Sequence, residues 1–211
     1  MTSPSAPDDI PQRFPGFHVL GQADAWDEVT RSVVLSRVGP QPPLRFFTDA
    51  EGAAATALFD QLLDQHPGDR VPVTALVDIR LADGQTDGWH YDSMPADAEA
   101  WRRSLAALDD AAREVYGEAF ADCGEEQQHH LLADLKDGPG AWRGFDRPQL
   151  WSLWTRYACT AFYSHPDAWD EIGFAGPAYP RGYKNLGVDR LEPFEVEDTR
   201  PGDMPPLEAP E

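Results

Sequence analysis

Residues 100–120, AWRRSLAALDDAAREVYGEAF, decide the fold class. Trp101, Leu105, Leu108, Ala112, Val115, Tyr116 and Phe120 recur at the three- and four-residue spacing of an amphipathic helix, with Arg and Asp filling the other face. Working outward, TDAE at 48–51 reads as a capping box, in which the Thr48 hydroxyl accepts from the amide of Glu51 and the Glu51 carboxylate reaches back. Ala54, Ala57, Leu58, Leu62 and Leu63 then form one apolar face, and HPGD ends that helix at about His66. VTALVDIRLA, after Pro72, reads as a second helix ending at Asp83-Gly84.

Downstream, EEQQHHLLADLK carries Leu131, Leu132 and Leu135 and stops at DGPG. A further helix starts near Pro148, a good first-turn residue, and its QLWSLWTRYACTAFYSH is apolar almost all the way round. That pattern places it at the centre of the bundle. Arg156 within it then requires a carboxylate partner, because an unpaired buried charge is too costly. Residues 17–38 read two ways: Trp26, Val29, Val33 and Leu35 to Val38 can line a helix, while TRSVVLSRV can be extended. The expected architecture is all-α, a compact bundle of about five helices with extended arms at both ends. Its parts are an extended, partly disordered arm over 1–47, a helical core over 48–165, an aromatic Gly/Pro-rich loop over 166–190 and an acidic Pro-rich tail over 191–211.

Charge narrows the function classes. The chain of 211 residues has 17 basic against 37 acidic residues, a formal −20. Nucleic acid and anionic membrane surfaces, both polyanions, are poor partners for it. Cys123 and Cys159 stand far apart, in no metal-type spacing, and read as reduced thiols. The first 45 residues hold no arginine pair and no apolar run of signal-peptide type, so the chain is expected in the cytoplasm as synthesised, with export only if a partner carries it.

The search for catalytic motifs returns little. The sequence has no G-x-G-x-x-G, no G-K-[ST], no G-x-S-x-G, no H-E-x-x-H and no C-x-x-C. Glu126 and His129 have the Glu-x-x-His spacing of helical di-iron sites, but those sites need a second copy and two further inward glutamates, and this chain has no second Glu-x-x-His. The polar run 125–130 reads instead as a solvated helix start with acids at its positive end. WHYD at 89–92 sets His90 between aromatics and beside an acid. It reads as a loop packed against a helix, with a proton-handling site as the alternative, since histidine titrates near neutral pH. No catalytic, metal or cofactor-binding residue is assigned.

The stretch YSHPDAWDEIGFAGPAYPRGYKNLG, from Tyr163, has glycines and prolines that exclude a helix running through it, yet it is rich in aromatics. Tyr163, Trp169, Phe174, Tyr179, Arg181 and Tyr183 make a surface of hot-spot composition and are the candidate partner interface. The competing reading has the same aromatics capping this protein's own helices.

Tyr163, Ser164, Pro166, Trp169, Ile172, Gly173, Phe174, Gly176 and Pro177, following a tryptophan-rich helix, resemble the signature of the gluconate 2-dehydrogenase subunit 3 family, over roughly residues 45–185. The resemblance implies a small, non-catalytic helical subunit. Its partner would be a large flavoprotein of the glucose-methanol-choline type that holds FAD and oxidises an alcohol group on a sugar or sugar acid. This chain would bind no cofactor alone, and would support folding, FAD loading or stability of that partner. A transient maturation chaperone and an autonomous helical metalloprotein are the alternatives. Many members begin with a twin-arginine signal, absent here, which favours a cytoplasmic complex.

Overall fold

The computed structural model describes residues 13–66, 71–188 and 190–197, and all its regular elements are helical. The chain divides into two compact units: a core unit of residues 40–162, and a terminal unit of residues 1–39 with 163–211.

In the core unit, α2 (Asp49–Leu63) opens on the expected capping box. Thr48 Oγ1 accepts from the Glu51 amide at 3.3 Å and Glu51 Oε2 accepts from the Thr48 amide at 2.8 Å. Helix α3 (Val73–Ala82) carries a buried carboxylate, Asp78, which accepts from the amides of Arg45, Phe46 and Phe47 at 2.7, 2.9 and 2.8 Å. Those bonds satisfy donors ahead of α2 that no helix could satisfy, and so fix the entry of the chain into the bundle.

Helix α4 (Asp97–Tyr116) is the periodic element read first. It stops at Gly117, left-handed at φ 83°, and Val115 in its last turn is exposed, whereas the expectation had placed it among the buried apolar residues. Phe120 is buried, but in a separate 3₁₀ turn, Phe120–Asp122. Trp101 of α4 is the hub of the core, with Phe59, Tyr157 and Phe47 rings at 5.5, 5.6 and 6.1 Å.

Helices α5 (Glu125–Asp137) and α6 (Arg147–Phe162) complete the unit. The buried Arg147 donates to the carbonyls of Asp134, Leu135 and Gly140, which caps the C-terminal end of α5 with a cation where the helix dipole favours one. Helix α6 buries Leu150, Leu153, Trp154, Tyr157, Ala158 and Ala161, but Cys159 and Thr160 face solvent. It is therefore a one-sided core helix, not one enclosed all round.

The terminal unit departs most from expectation. Its N-terminal part is helical, with a 3₁₀ segment Val19–Ala25 and helix α1 (Glu28–Val38). Asp27 caps α1 by accepting from the Thr30 amide at 2.9 Å, which resolves the two-way reading of residues 17–38. A seven-residue helix, α7 (Pro166–Ile172), stands where only loop was expected. Pro166 occupies its first turn, the one place where a missing N–H costs nothing, and Gly173 closes it at φ 69°.

Val19, Trp26, Val34 and Trp169 form this unit's small core. Polar ties reinforce it: the Val19 amide donates to Asp170 Oδ1 at 2.6 Å and Arg37 Nη1 to the Ser164 carbonyl at 2.6 Å. Gly176, at φ 75°, lies so close to the Trp26 ring that a Cβ would sit 2.8 Å from it. The start of the expected tail folds back as well: buried Glu192 accepts from the amides of Lys184 and Asn185. The rest of that tail, and residues 1–12 of the expected arm, lie outside the described residues.

Candidate functional site

In the terminal unit, the six residues singled out as a partner interface divide into two groups. Trp169 is 6% exposed and belongs to the small core; its indole N–H donates to the Tyr163 carbonyl at 2.7 Å. Arg181 ties the unit together, with Nη1 donating to Gln22 Oε1 at 2.8 Å and the guanidinium stacked 3.7 Å above the Phe194 ring. These two build the unit. Tyr163, Phe174, Tyr179 and Tyr183 instead present their rings to solvent. Phe174 stands edge-on to the core residue Trp169 at 5.3 Å, and Tyr183 leans on the half-buried Phe194 at 5.9 Å.

Helix α1 adds an apolar surface that the sequence reading did not single out. Val34 is its buried residue, while Val29 (71% exposed), Val33, Leu35 and Val38 remain accessible. A signal existed: residues 29–38 contain more aliphatics than the one helix face a small core can cover. Ile172, Leu186, Val188 and Leu191 extend the exposed apolar character of this unit into its C-terminal segment. The terminal unit thus leaves far more large apolar side chains in water than the core unit does.

In the core unit, the WHYD stretch lies above a charged network. Asp87 is paired with both Arg80 and Arg156, the latter with Nε 3.0 Å from Oδ2. The Arg156 guanidinium also lies 4.4 Å under the Trp89 ring. The expected carboxylate partner of Arg156 is thus Asp87, supplied by the loop after α3. Beneath, the Tyr157 hydroxyl donates to the buried Asp97 at 2.6 Å. Burial, together with that carboxylate, holds the Tyr157 proton well above the usual phenol range, so the group is a fixed donor at physiological pH. His90 is exposed at the rim of a cavity of about 10 Å³ shared with Asp97, Gln149 and Arg156, room for one water.

Glu126 and His129 are both exposed, lining an open groove with Asp60, His66 and Glu125. Among the described residues no group of three or more His, Cys, Asp or Glu gathers in a metal-binding arrangement. Cys123 is buried, and burial with nearby Glu118, Asp122 and Asp109 pushes its thiol up; Cys159 is exposed and free. No described helix is long and apolar enough to cross a membrane.

A family model for gluconate 2-dehydrogenase subunit 3 matches residues 49–176, more than half of the chain. No curated protein and no solved structure matches it. The chain belongs to the gluconate 2-dehydrogenase subunit 3 family, and membership marks it as an accessory subunit of a dehydrogenase complex. The matched range takes in α2 to α7 and the loop as far as Gly176; α1, Tyr179, Arg181 and Tyr183 lie beyond it.

Proposed function

We propose that this chain is the non-catalytic small subunit of a flavin-dependent dehydrogenase acting on an alcohol group of a sugar or sugar acid. The partner is a large FAD-containing subunit of the glucose-methanol-choline type, and this chain supports its folding, FAD loading or stability. The observation that carries the reading is the exposed apolar surface of the terminal unit, on a chain whose family is one of dehydrogenase subunits. Rings packed on a neighbouring ring but left in water, such as Phe174 and Tyr183, suit an interface whose other half is another polypeptide. Flavin is assigned to the large subunit, because this sequence has no dinucleotide fingerprint. Assembly in the cytoplasm is part of the proposal.

Co-expression with the large flavoprotein subunit of the same organism tests this reading. The expected result is a stable complex that co-elutes, shows flavin absorption and loses flavin content when this chain is omitted. A flavoprotein that is fully loaded and active alone, with this chain eluting separately, overturns it. Higher flavoprotein yield with no lasting complex replaces it with transient chaperoning.

A further inference from the structure

The core unit hides its large apolar side chains well. Among the described residues, Trp89, Tyr91 and Val115 are its only exposed ones, and two of these three are neighbours in one loop. The Trp89 and Tyr91 rings meet edge to face at 5.4 Å and are 49% and 40% exposed.

The pair is held firmly. Asp87 anchors the loop to Arg80 of α3 and Arg156 of α6, and the Arg156 guanidinium forms the floor under the indole. On the far side, Met94 is buried, its amide donates to the Tyr91 carbonyl at 2.9 Å, and Ser93 Oγ donates to Gln149 Oε1 at 2.6 Å. The Arg156 guanidinium thus holds the carboxylate with Nε 3.0 Å from Asp87 Oδ2 while its face stays under the indole. The arrangement keeps a tryptophan rigid and half in water, which is the condition of an anchor that binds with little further loss of conformational freedom.

We propose that Trp89 and Tyr91 form a docking point of the core unit for the large dehydrogenase subunit, in addition to the terminal unit's surface. This rests on the reading of the chain as an accessory subunit. The chemistry of the site specifies what it takes. Arg156 is already committed to Asp87, the exposed ionisable neighbours are His90 and the acidic Asp92, and the chain carries −20 overall. The complementary feature is therefore an apolar slot for an aromatic ring, rimmed by lysine or arginine, on the partner's surface.

The test is the affinity of the full-length chain for the purified large subunit, with Trp89→Ala and Trp89→Phe compared with wild type. Trp89→Ala is expected to weaken binding about tenfold or more. Trp89→Phe keeps a ring over Arg156 and is expected to recover part of that loss. The thermal midpoint of each isolated variant controls for folding: a shift of only a few degrees leaves the affinity change to the interface. Wild-type affinity in Trp89→Ala, with a complex that otherwise forms, overturns this docking point and leaves the accessory-subunit reading intact. Failure of the wild-type chain to bind removes both. A wild-type chain that dimerises by itself, and becomes monomeric on Trp89→Ala, assigns the patch to a second copy and also overturns the proposal.

Discussion

The core unit and the terminal unit handle apolar side chains in opposite ways. The core unit packs Trp101, Trp154, Phe59 and Leu108 out of water and leaves only Trp89, Tyr91 and Val115 exposed among its described large apolar residues. The terminal unit buries Val19, Trp26, Val34 and Trp169, yet exposes aliphatics along α1 and aromatics from Tyr163 to Tyr183. A core of four residues can position a surface but cannot provide much stability alone. Under the proposed function the difference is a division of labour, in which one unit supplies stability and the other presents contact surface.

The strongest way to break this comparison is to remove the hub of each core. Trp101→Ala is expected to cost about 3–5 kcal/mol of global stability, read from urea or thermal unfolding, because its ring contacts Phe47, Phe59 and Tyr157 at once. Trp169→Ala is expected to cost less, about 2–3 kcal/mol, since fewer groups surround it. Hydrogen exchange separates the two effects. Trp169→Ala should deprotect amides in α1 and α7 while α4 keeps its protection. Equal loss in α4 would mean that the units unfold as one, and the division of labour would fail.

The helical core was legible in the sequence because its signals are local and redundant. TDAE, the periodic run from Trp101 and the Pro148 start each point to one structure. Membership of the family was legible from the loop for a different reason: Trp169, Gly173 and Gly176 are fixed by packing, and packing constrains sequence. The terminal unit was misread where distant segments decide. The Asp27 cap of helix α1 is local, but the bonds that hold the helix in its unit, from Arg37 to Ser164 and from His165 to the Arg37 carbonyl, join residues more than a hundred positions apart, and no window around residue 30 contains them. The same limit hid the fate of Trp169, since aromatic composition does not distinguish a ring in a small core from one in solvent. The Asp87–Arg156–Trp89 cluster was half visible: the sequence demanded a carboxylate for Arg156 but could not say that it comes from the loop carrying WHYD.

A smaller effect sharpens the comparison inside the core unit. Tyr157→Phe removes the donor to Asp97 and leaves a buried carboxylate short of one hydrogen bond, an expected loss of about 1–2 kcal/mol at neutral pH. The sign of its pH dependence is fixed. The folded state keeps the Tyr157 proton at a pH where an unfolded tyrosine, with its ordinary value of 10.0, releases it. Wild-type stability therefore falls as pH rises past that value, and Tyr157→Phe should lose this alkaline component. If both proteins respond to alkali alike, the buried phenol does not contribute as described.

The smallest expected effect lies at the start of α2. Burial works to raise the Glu51 carboxyl, but its bonds from the Thr48 amide and hydroxyl, with Arg102 nearby, outweigh that and hold it below the ordinary 4.5. A depressed acid stabilises the fold above its unfolded value and loses that contribution as pH falls through its lower folded value. Glu51→Gln retains a side chain able to accept the Thr48 amide but not the attraction to Arg102, so a loss of under about 1 kcal/mol is expected at pH 7. The difference between variant and wild type should shrink as pH falls below 4.5. The terminal unit provides the contrast, because Asp27 caps α1 in the same manner but only over a thin core. Acid should therefore loosen the amides of α1 before those of α2. Simultaneous loss would show that the caps, and not the cores behind them, set the order of unfolding.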